Sequence, residues 1–255
     1  PRQQGAGGLN VETFPNAGAA ADRAAELIAQ SLKASPRLVL GLATGATPAF
    51  VYQKLAERHR SGGVSFAGAI AFGVDEYVGL LPSDRRSYAH YLREHLYAHV
   101  DIDEANAFVP DGMAADADAE ARRYESLIAA KGGIDLLLLG IGLNGHIGFN
   151  EPPADFKSHT HVATLAPVSR RAHTQYFGGE SAVPAQAITM GIATILGARR
   201  IVLLATGAAK TQPVRQALLE PVSPSCPASA LRSHGNTIFV LDADAASAAR
   251  GKLPQ

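Results

Sequence analysis

Apolar residues along this chain fall into two patterns that alternate. Short continuous runs, PRLVLGLAT (36–44), AIAFGVD (69–75), IDLLLLGIG (134–142), RRIVLLATG (199–207) and NTIFVLDAD (236–244), have the length and makeup of strands buried on both faces. Between them lie segments whose apolar positions recur every three or four residues. TPAFVYQKLAERHR (47–60) groups Phe50, Val51 and Leu55 on one side, with Thr47 as a candidate N-cap and Pro48 at the first helical position. SYAHYLREHLYAHV (87–100) aligns Tyr88, Tyr91, Leu92, His95, Leu96 and His99, and DADAEARRYESLIAAKGG (116–133) stops at Gly132 and Gly133. AAKTQPVRQALLE (208–220) carries Pro213 in its first turns, where a missing N–H is tolerated. Strand runs separated by amphipathic helices predict an α/β fold: a doubly wound, mostly parallel, Rossmann-like sheet with helices on both faces. No internal repeat or linker divides the chain, so one domain is expected over 1–255.

Composition narrows the function classes more than the fold. The 255 residues are 47% hydrophobic, enough for an ordinary core. Lysine plus arginine and aspartate plus glutamate number 23 each, so no bulk field favours nucleic acid or an anionic membrane, and a small-molecule partner must be recognised locally. With Cys226 the single cysteine, neither an intrachain disulfide framework nor a cysteine zinc site can form, and a free thiol suits a reducing compartment. PRQQGAGGLN lacks the apolar core of a signal peptide and no run reaches the length of a membrane span, so a soluble, cytoplasmic protein is expected. The first strand of the main sheet begins about one helix into the sequence, so no helix-turn-helix module is expected.

In doubly wound sheets ligands bind beyond the carboxyl ends of the strands. Four polar loops occupy such ends: ATGATP, DEYVGL, GLNGHIGFNEP and ATGAAK. The small residues Thr44, Gly45, Ala46 and Thr47 at a strand-to-helix turn make a backbone cradle for phosphate, although the loop lacks the P-loop and dinucleotide signatures. Lys210, at a helix start where the dipole disfavours a cation, makes sense with an anion between it and the loop. Asp75 and Glu76 are adjacent on an extended segment and point to opposite sides, so one suits a general base and the other a structural partner. His146 can take and give a proton near neutrality if a neighbour orients it. Asn144 or Glu151 could do so, and only the carboxylate would also stabilise the imidazolium. His159 and His161 share the spacing of a metal pair but have no third ligand, so no metal is expected.

GLATGATP, VDEYVGL followed by SYAHYL, IDLLLLGIGLNGHIGFNEP, VPAQAITMGIATIL and PASAL occur in order over almost the whole chain. In these motifs the sequence resembles the glucosamine-6-phosphate deaminase (isomerase) family, related in fold to the 6-phosphogluconolactonases. The resemblance implies a reaction without cofactor or metal, in amino-sugar (N-acetylglucosamine) catabolism: glucosamine 6-phosphate and water give fructose 6-phosphate and ammonia. It implies that Asp75 moves the proton from carbon 2 to carbon 1, that His146 opens the pyranose ring, and that Glu151 and Asn144 position the imidazole. Thr44, Gly45, Ala46 and Thr47, with Gly142 and Lys210, would hold the substrate and its phosphate.

The chain also departs from that family. Asn144 stands where well-studied members have aspartate, and Gln175 where they place an arginine on the phosphate, with Arg170 or Arg171 as nearby substitutes. Ala154, His161 and Ala163 occupy positions where serine, arginine and lysine would line an allosteric site, so no activation by N-acetylglucosamine 6-phosphate is expected. Three alternatives keep the fold. A galactosamine-6-phosphate deaminase differs by one hydroxyl. A 6-phosphogluconolactonase would carry DER and GHxASLFPG where this chain has Tyr77 after DE and FNEP after the histidine loop. A non-catalytic sugar-phosphate binder is the third. A monomer and a homo-oligomer fit the sequence equally.

Overall fold

A computed structural model of the protein describes residues 10–249 and 251. The PRQQGAGGL segment, expected to lack a signal sequence, lies outside the described residues. The first half of the chain forms β1 (Asn10–Phe14), α1 (Ala17–Ala34), β2 (Val39–Leu42), α2 (Ala46–Arg60), β3 (Ile70–Gly73), β4 (Asp75–Tyr77), α3 (Tyr88–His95), β5 (Ala107–Phe108) and α4 (Ala117–Ala130). The second half forms β6 (Leu136–Leu139), β7 (His161–Thr164), α5 (Pro167–Phe177), β8 (Gln186–Thr189), α6 (Ile192–Leu196), β9 (Arg200–Ala205), α7 (Thr211–Leu219) and β10 (Thr237–Asp242).

Seven strands make a parallel sheet in the order β1-β10-β9-β6-β2-β3-β5. From β2 the chain winds outward through β3 to β5, then returns to β6 on the other side of β2 and winds the opposite way. The topological switch point therefore lies between β2 and β6, where a crevice opens at the strand ends.

Alternate residues of each strand feed separate cores, as the pleat requires. Leu40, Leu42, Leu136, Leu138, Val202 and Val240 pack with α1, α2 and α3. Leu137, Leu139, Ile201, Leu203 and Phe239 pack with α4, α6 and α7. Both faces are covered, which explains the uninterrupted apolar runs. No helix among the described residues is long and apolar enough to cross a membrane.

Three expectations need correction. The run 69–75 is not one strand: β3 ends at Gly73, Val74 bonds back to the Leu42 carbonyl (3.0 Å), and β4 starts a second sheet. That sheet, β4-β8-β7, is antiparallel and has its own core of Tyr77, Phe149, Leu165 and Phe177. Thr47 is not the N-cap of α2, which begins at Ala46 after Gly45. Phe50 is 51% exposed, so only Val51 and Leu55 of the three grouped residues enter the core.

Candidate active site

A cavity of about 740 Å³ fills the switch point, bounded by the loops after β2, β6 and β9 and by β4, α3 and α5. The loop after β2 turns at Gly45, whose φ of 117° lies in the left-handed region that only glycine enters freely. No side chain among the described residues caps α2. With Pro48 lacking an N–H and the Ala49 N–H bonded to the Gly45 carbonyl (3.3 Å), the Ala46 and Thr47 N–H groups are left without a partner among the described residues, at the positive end of the helix dipole. Tyr91 pins the loop by donating its hydroxyl to the Gly45 carbonyl at 2.6 Å.

Across the crevice the loop after β9 is pinned in the same manner. The Gly207 N–H donates to both carboxylate oxygens of buried Asp242 (3.0 and 2.9 Å), and the Thr206 and Thr47 hydroxyls lie 3.5 Å apart. Lys210 ends a 3-10 turn before α7 and donates from Nζ to the Ile141 carbonyl at 2.6 Å. Burial pushes its pKa down, which indicates an ammonium short of counter-charge. Among the described residues one of its three protons is engaged, so the head keeps donor capacity on the side of the two loops.

Asp75 starts β4 opposite Thr189, lines the cavity and is 7% exposed. Its carboxylate accepts no hydrogen bond among the described residues. Burial and the adjacent Glu76 push its pKa up to about 8. Glu76 points the other way, as strand alternation requires. It accepts from the Tyr77, Tyr88 and Ala89 N–H groups (2.8, 3.1 and 3.0 Å) and from the Ser87 hydroxyl (2.7 Å), tying β4 to the start of α3. One acid is free in the cavity while its neighbour is fully bonded.

The loop after β6 is organised around His146. Nδ1 lies 2.7 Å from Asn144 Oδ1, 3.2 Å from Glu151 Oε2 and 3.4 Å from the buried Ser169 hydroxyl. Asn144 Nδ2 in turn donates to Glu151 Oε2 at 2.7 Å. Two acceptors on Nδ1 hold the proton there and leave Nε2 with its lone pair. Burial works to raise the Glu151 pKa, but bonding to His146, with help from Ser169 and Asn144, holds it at about 2. Glu151 is thus a fixed negative charge behind the imidazole.

Gly142 serves this loop through its missing side chain: a Cβ there would overlap the imidazole ring of His146. Gly142→Ala is expected to displace the ring and lower kcat by about a hundredfold with little change in melting temperature. A steady-state assay beside a thermal melt checks this, and unchanged kcat would show that the ring has room to move.

Thr44, Gly45, Ala46, Thr47, Asp75, Gly142, Asn144, His146 and Lys210 all line the one cavity, and Glu151 stands behind His146. His159 and His161 lie elsewhere, bonded to Glu125 (3.0 Å) and to the His159 carbonyl (2.8 Å). Arg170 and Arg171, considered as substitutes for an arginine at position 175, do not reach the cavity. Arg170 donates to the carbonyls of Glu180 and Val183 (2.8 and 3.4 Å). Gln175 does line it, as do Arg85 and Arg86 from the segment before α3, with Arg86 paired to Asp84 at 2.6 Å. Sequence reading missed Ser169 and His173. The helical spacing of Ser169, Ala172, His173 and Tyr176, all on the cavity side of α5, is the signal that would have found them.

Comparison with known proteins points the same way. Residues 15–239 match the family model described as glucosamine-6-phosphate isomerases/6-phosphogluconolactonase. A glucosamine-6-phosphate deaminase of Bacillus velezensis is 46% identical over 93% of this chain and 99% of its own length. One of Rhodopirellula baltica is 46% identical over 94% and 97%. A solved structure of a monomeric glucosamine-6-phosphate deaminase superposes with a TM-score of 0.92 at 42% identity, covering 94% of this chain and all (100%) of the other. A 6-phosphogluconolactonase of Thermotoga maritima, 21% identical with a TM-score of 0.72 over 92% of this chain and 99% of its own, shares the fold.

Proposed function

The chain belongs to the family of glucosamine-6-phosphate isomerases and 6-phosphogluconolactonases, and on that premise we propose that it is a glucosamine-6-phosphate deaminase acting in amino-sugar catabolism. The observation that carries the reading is the meeting of three features in one cavity: an unbonded buried carboxylate at Asp75, an imidazole backed by a carboxylate at His146 and Glu151, and an anion cradle at the loops of Gly45 and Gly207. A hexose phosphate spans such a cavity with its phosphate in the cradle and its carbon 1 and carbon 2 end at the acid and the imidazole. Capture of the phosphate orients the reacting carbons.

Each proton transfer then has an owner. Nε2 of His146 accepts the proton of the anomeric hydroxyl and returns it to the ring oxygen, opening the pyranose, with the charge of Glu151 stabilising the transient imidazolium. Asp75 removes the carbon 2 proton of the open-chain ammonio aldehyde while an ammonium proton passes to the carbonyl oxygen, giving an enolamine, and Asp75 then delivers its proton to carbon 1. The resulting ketimine at carbon 2 adds water, and the carbinolamine collapses to fructose 6-phosphate and ammonia. Asp75, raised toward neutrality, suits a group that both takes and returns a proton.

The test is ammonia release from glucosamine 6-phosphate and galactosamine 6-phosphate assayed in parallel. Release from the gluco sugar is the expected result. Release from the galacto sugar alone would transfer the assignment to its epimer. Binding of both without release would leave a sugar-phosphate binder.

Regulation is expected to be simple. Ala154 and Ala163 are buried and uncharged, and His161 is engaged with the carbonyl of His159. No cationic pocket forms from these three positions. Velocity should follow substrate hyperbolically, with half-saturation unmoved by N-acetylglucosamine 6-phosphate; a sigmoidal curve relieved by that compound would contradict this.

A further inference from the structure

Three imidazoles border the cavity, His95, His146 and His173, and the last two present opposite hydrogen-bonding characters to it. His146 Nδ1 faces the acceptors Asn144 Oδ1 and Glu151 Oε2, which keeps the proton there and leaves Nε2 as the lone-pair nitrogen. His173, one turn beyond Ser169 on α5, has its Nδ1 2.7 Å from the Tyr77 hydroxyl. The Tyr88 hydroxyl donates to that same Tyr77 oxygen at 3.1 Å. Tyr77 is buried, and among the described residues His173 Nδ1 is the acceptor in reach of its phenolic proton. The proton therefore lies on Tyr77, His173 Nδ1 is a lone pair, and the imidazole proton sits on Nε2. Burial pushes the His173 pKa down to about 4, so the ring is neutral near pH 7. Edge-on packing holds it against Tyr77 (6.1 Å between centroids, 90°) and Phe149 (6.0 Å, 82°). Nε2 has no protein partner among the described residues.

We propose that His173 is a specificity-determining substrate contact, its Nε2–H donating to a hydroxyl oxygen at carbon 3 or carbon 4 of the hexose phosphate. The assignment rests on the deaminase reading for the identity of the sugar. Ser169 touches the ring-opening imidazole, and His173 lies four residues further along the helix, about 6 Å along its axis at the rise of an α-helix, and lines the same cavity. That displacement moves the donor from the anomeric end to the central hydroxyls. A locked neutral donor does no proton transfer of its own; it fixes where the chain lies while Asp75 and His146 act.

The experiment pairs the parent substrate with 3-deoxy- and 4-deoxyglucosamine 6-phosphate. With wild-type enzyme one of the two analogues is expected to lose about tenfold in kcat/KM. In His173→Phe, which keeps the ring packing, KM for the parent rises by a similar factor, kcat changes little, and the penalty on that analogue disappears. Equal use of all three sugars by wild type, or a penalty that survives in the variant, would overturn the assignment. Should the variant fail to fold, ¹⁵N spectra of imidazole-labelled wild type titrated with fructose 6-phosphate decide the matter. A neutral Nε2–H tautomer whose signal moves on binding supports the contact, and an Nδ1–H tautomer or an unmoved signal refutes it. This spectrum needs no turnover, whereas failure of the deaminase reading would show as no ammonia from wild type on any amino sugar.

Discussion

Asp75→Asn lowers kcat by about 10³-fold or more while making the protein more stable near neutral pH. The first half follows from the role assigned to the carboxylate: an amide cannot accept the carbon 2 proton, and a positioned general base contributes about 10²- to 10⁴-fold. Retention of substrate binding, with loss of deuterium incorporation from solvent into the product, separates this from a collapsed site. The second half follows from linkage. Asp75 titrates near 8 in the folded protein, because burial and Glu76 disfavour its charge, and near 3.8 in the unfolded chain. Between those values the folded state binds the extra proton, so stability falls as pH rises from about 4 to about 8. The variant has no such carboxylate to ionise. Its melting temperature should match wild type near pH 4 and exceed it by several degrees at pH 8. Parallel melting curves at both ends would contradict the raised pKa, and an active variant would contradict the role.

The second large effect concerns Glu151. Glu151→Gln is expected to reduce kcat by about 10²-fold with KM nearly unchanged, since the imidazolium formed during ring opening loses its fixed counter-charge. Geometry adds to the loss. Oε2 accepts from His146 Nδ1 and Asn144 Nδ2, and Oε1 accepts from the Ala166 N–H at 3.3 Å. A carboxamide has one acceptor oxygen, so its NH₂ must face a donor on one side. The pH dependence has the opposite sign to that of Asp75. Glu151 is depressed to about 2 from an ordinary 4.5, so its stabilising contribution is complete above about 4.5 and is lost as pH falls toward 2. The variant should lack this contribution, and its stability deficit should close on acidification. Kinetics at neutral pH and acid-denaturation midpoints test the two halves separately.

Much of this molecule is legible in its sequence. β2, β3, β6, β9 and β10 announce themselves because strands covered on both faces must be apolar throughout, a pattern that needs no tertiary information to read. α2, α3, α4 and α7 show the complementary helical spacing. The strand-end loops followed from the parallel architecture, and with them Asp75, His146 and the Gly45 turn. The small antiparallel sheet was not legible, since β4 and β7 are three and four residues long and their cores are completed by residues distant in sequence. The bound on α2 also escaped: Thr47 has the right side chain for a cap, but the fold starts the helix earlier and leaves the Ala46 and Thr47 N–H groups open.

The sequence by itself determined the α/β architecture, the loops that carry chemistry and the opposed faces of Asp75 and Glu76, because each depends on local periodicity. Tertiary structure alone decided which groups meet. It brought Ser169 and Glu151 to one nitrogen of His146, turned Arg170 away from the cavity and Arg85 toward it, and placed the Tyr77 hydroxyl on His173. Protonation states depend on burial and on partners far apart in the chain, so a titrating group's character is settled only when packing removes water and supplies neighbours.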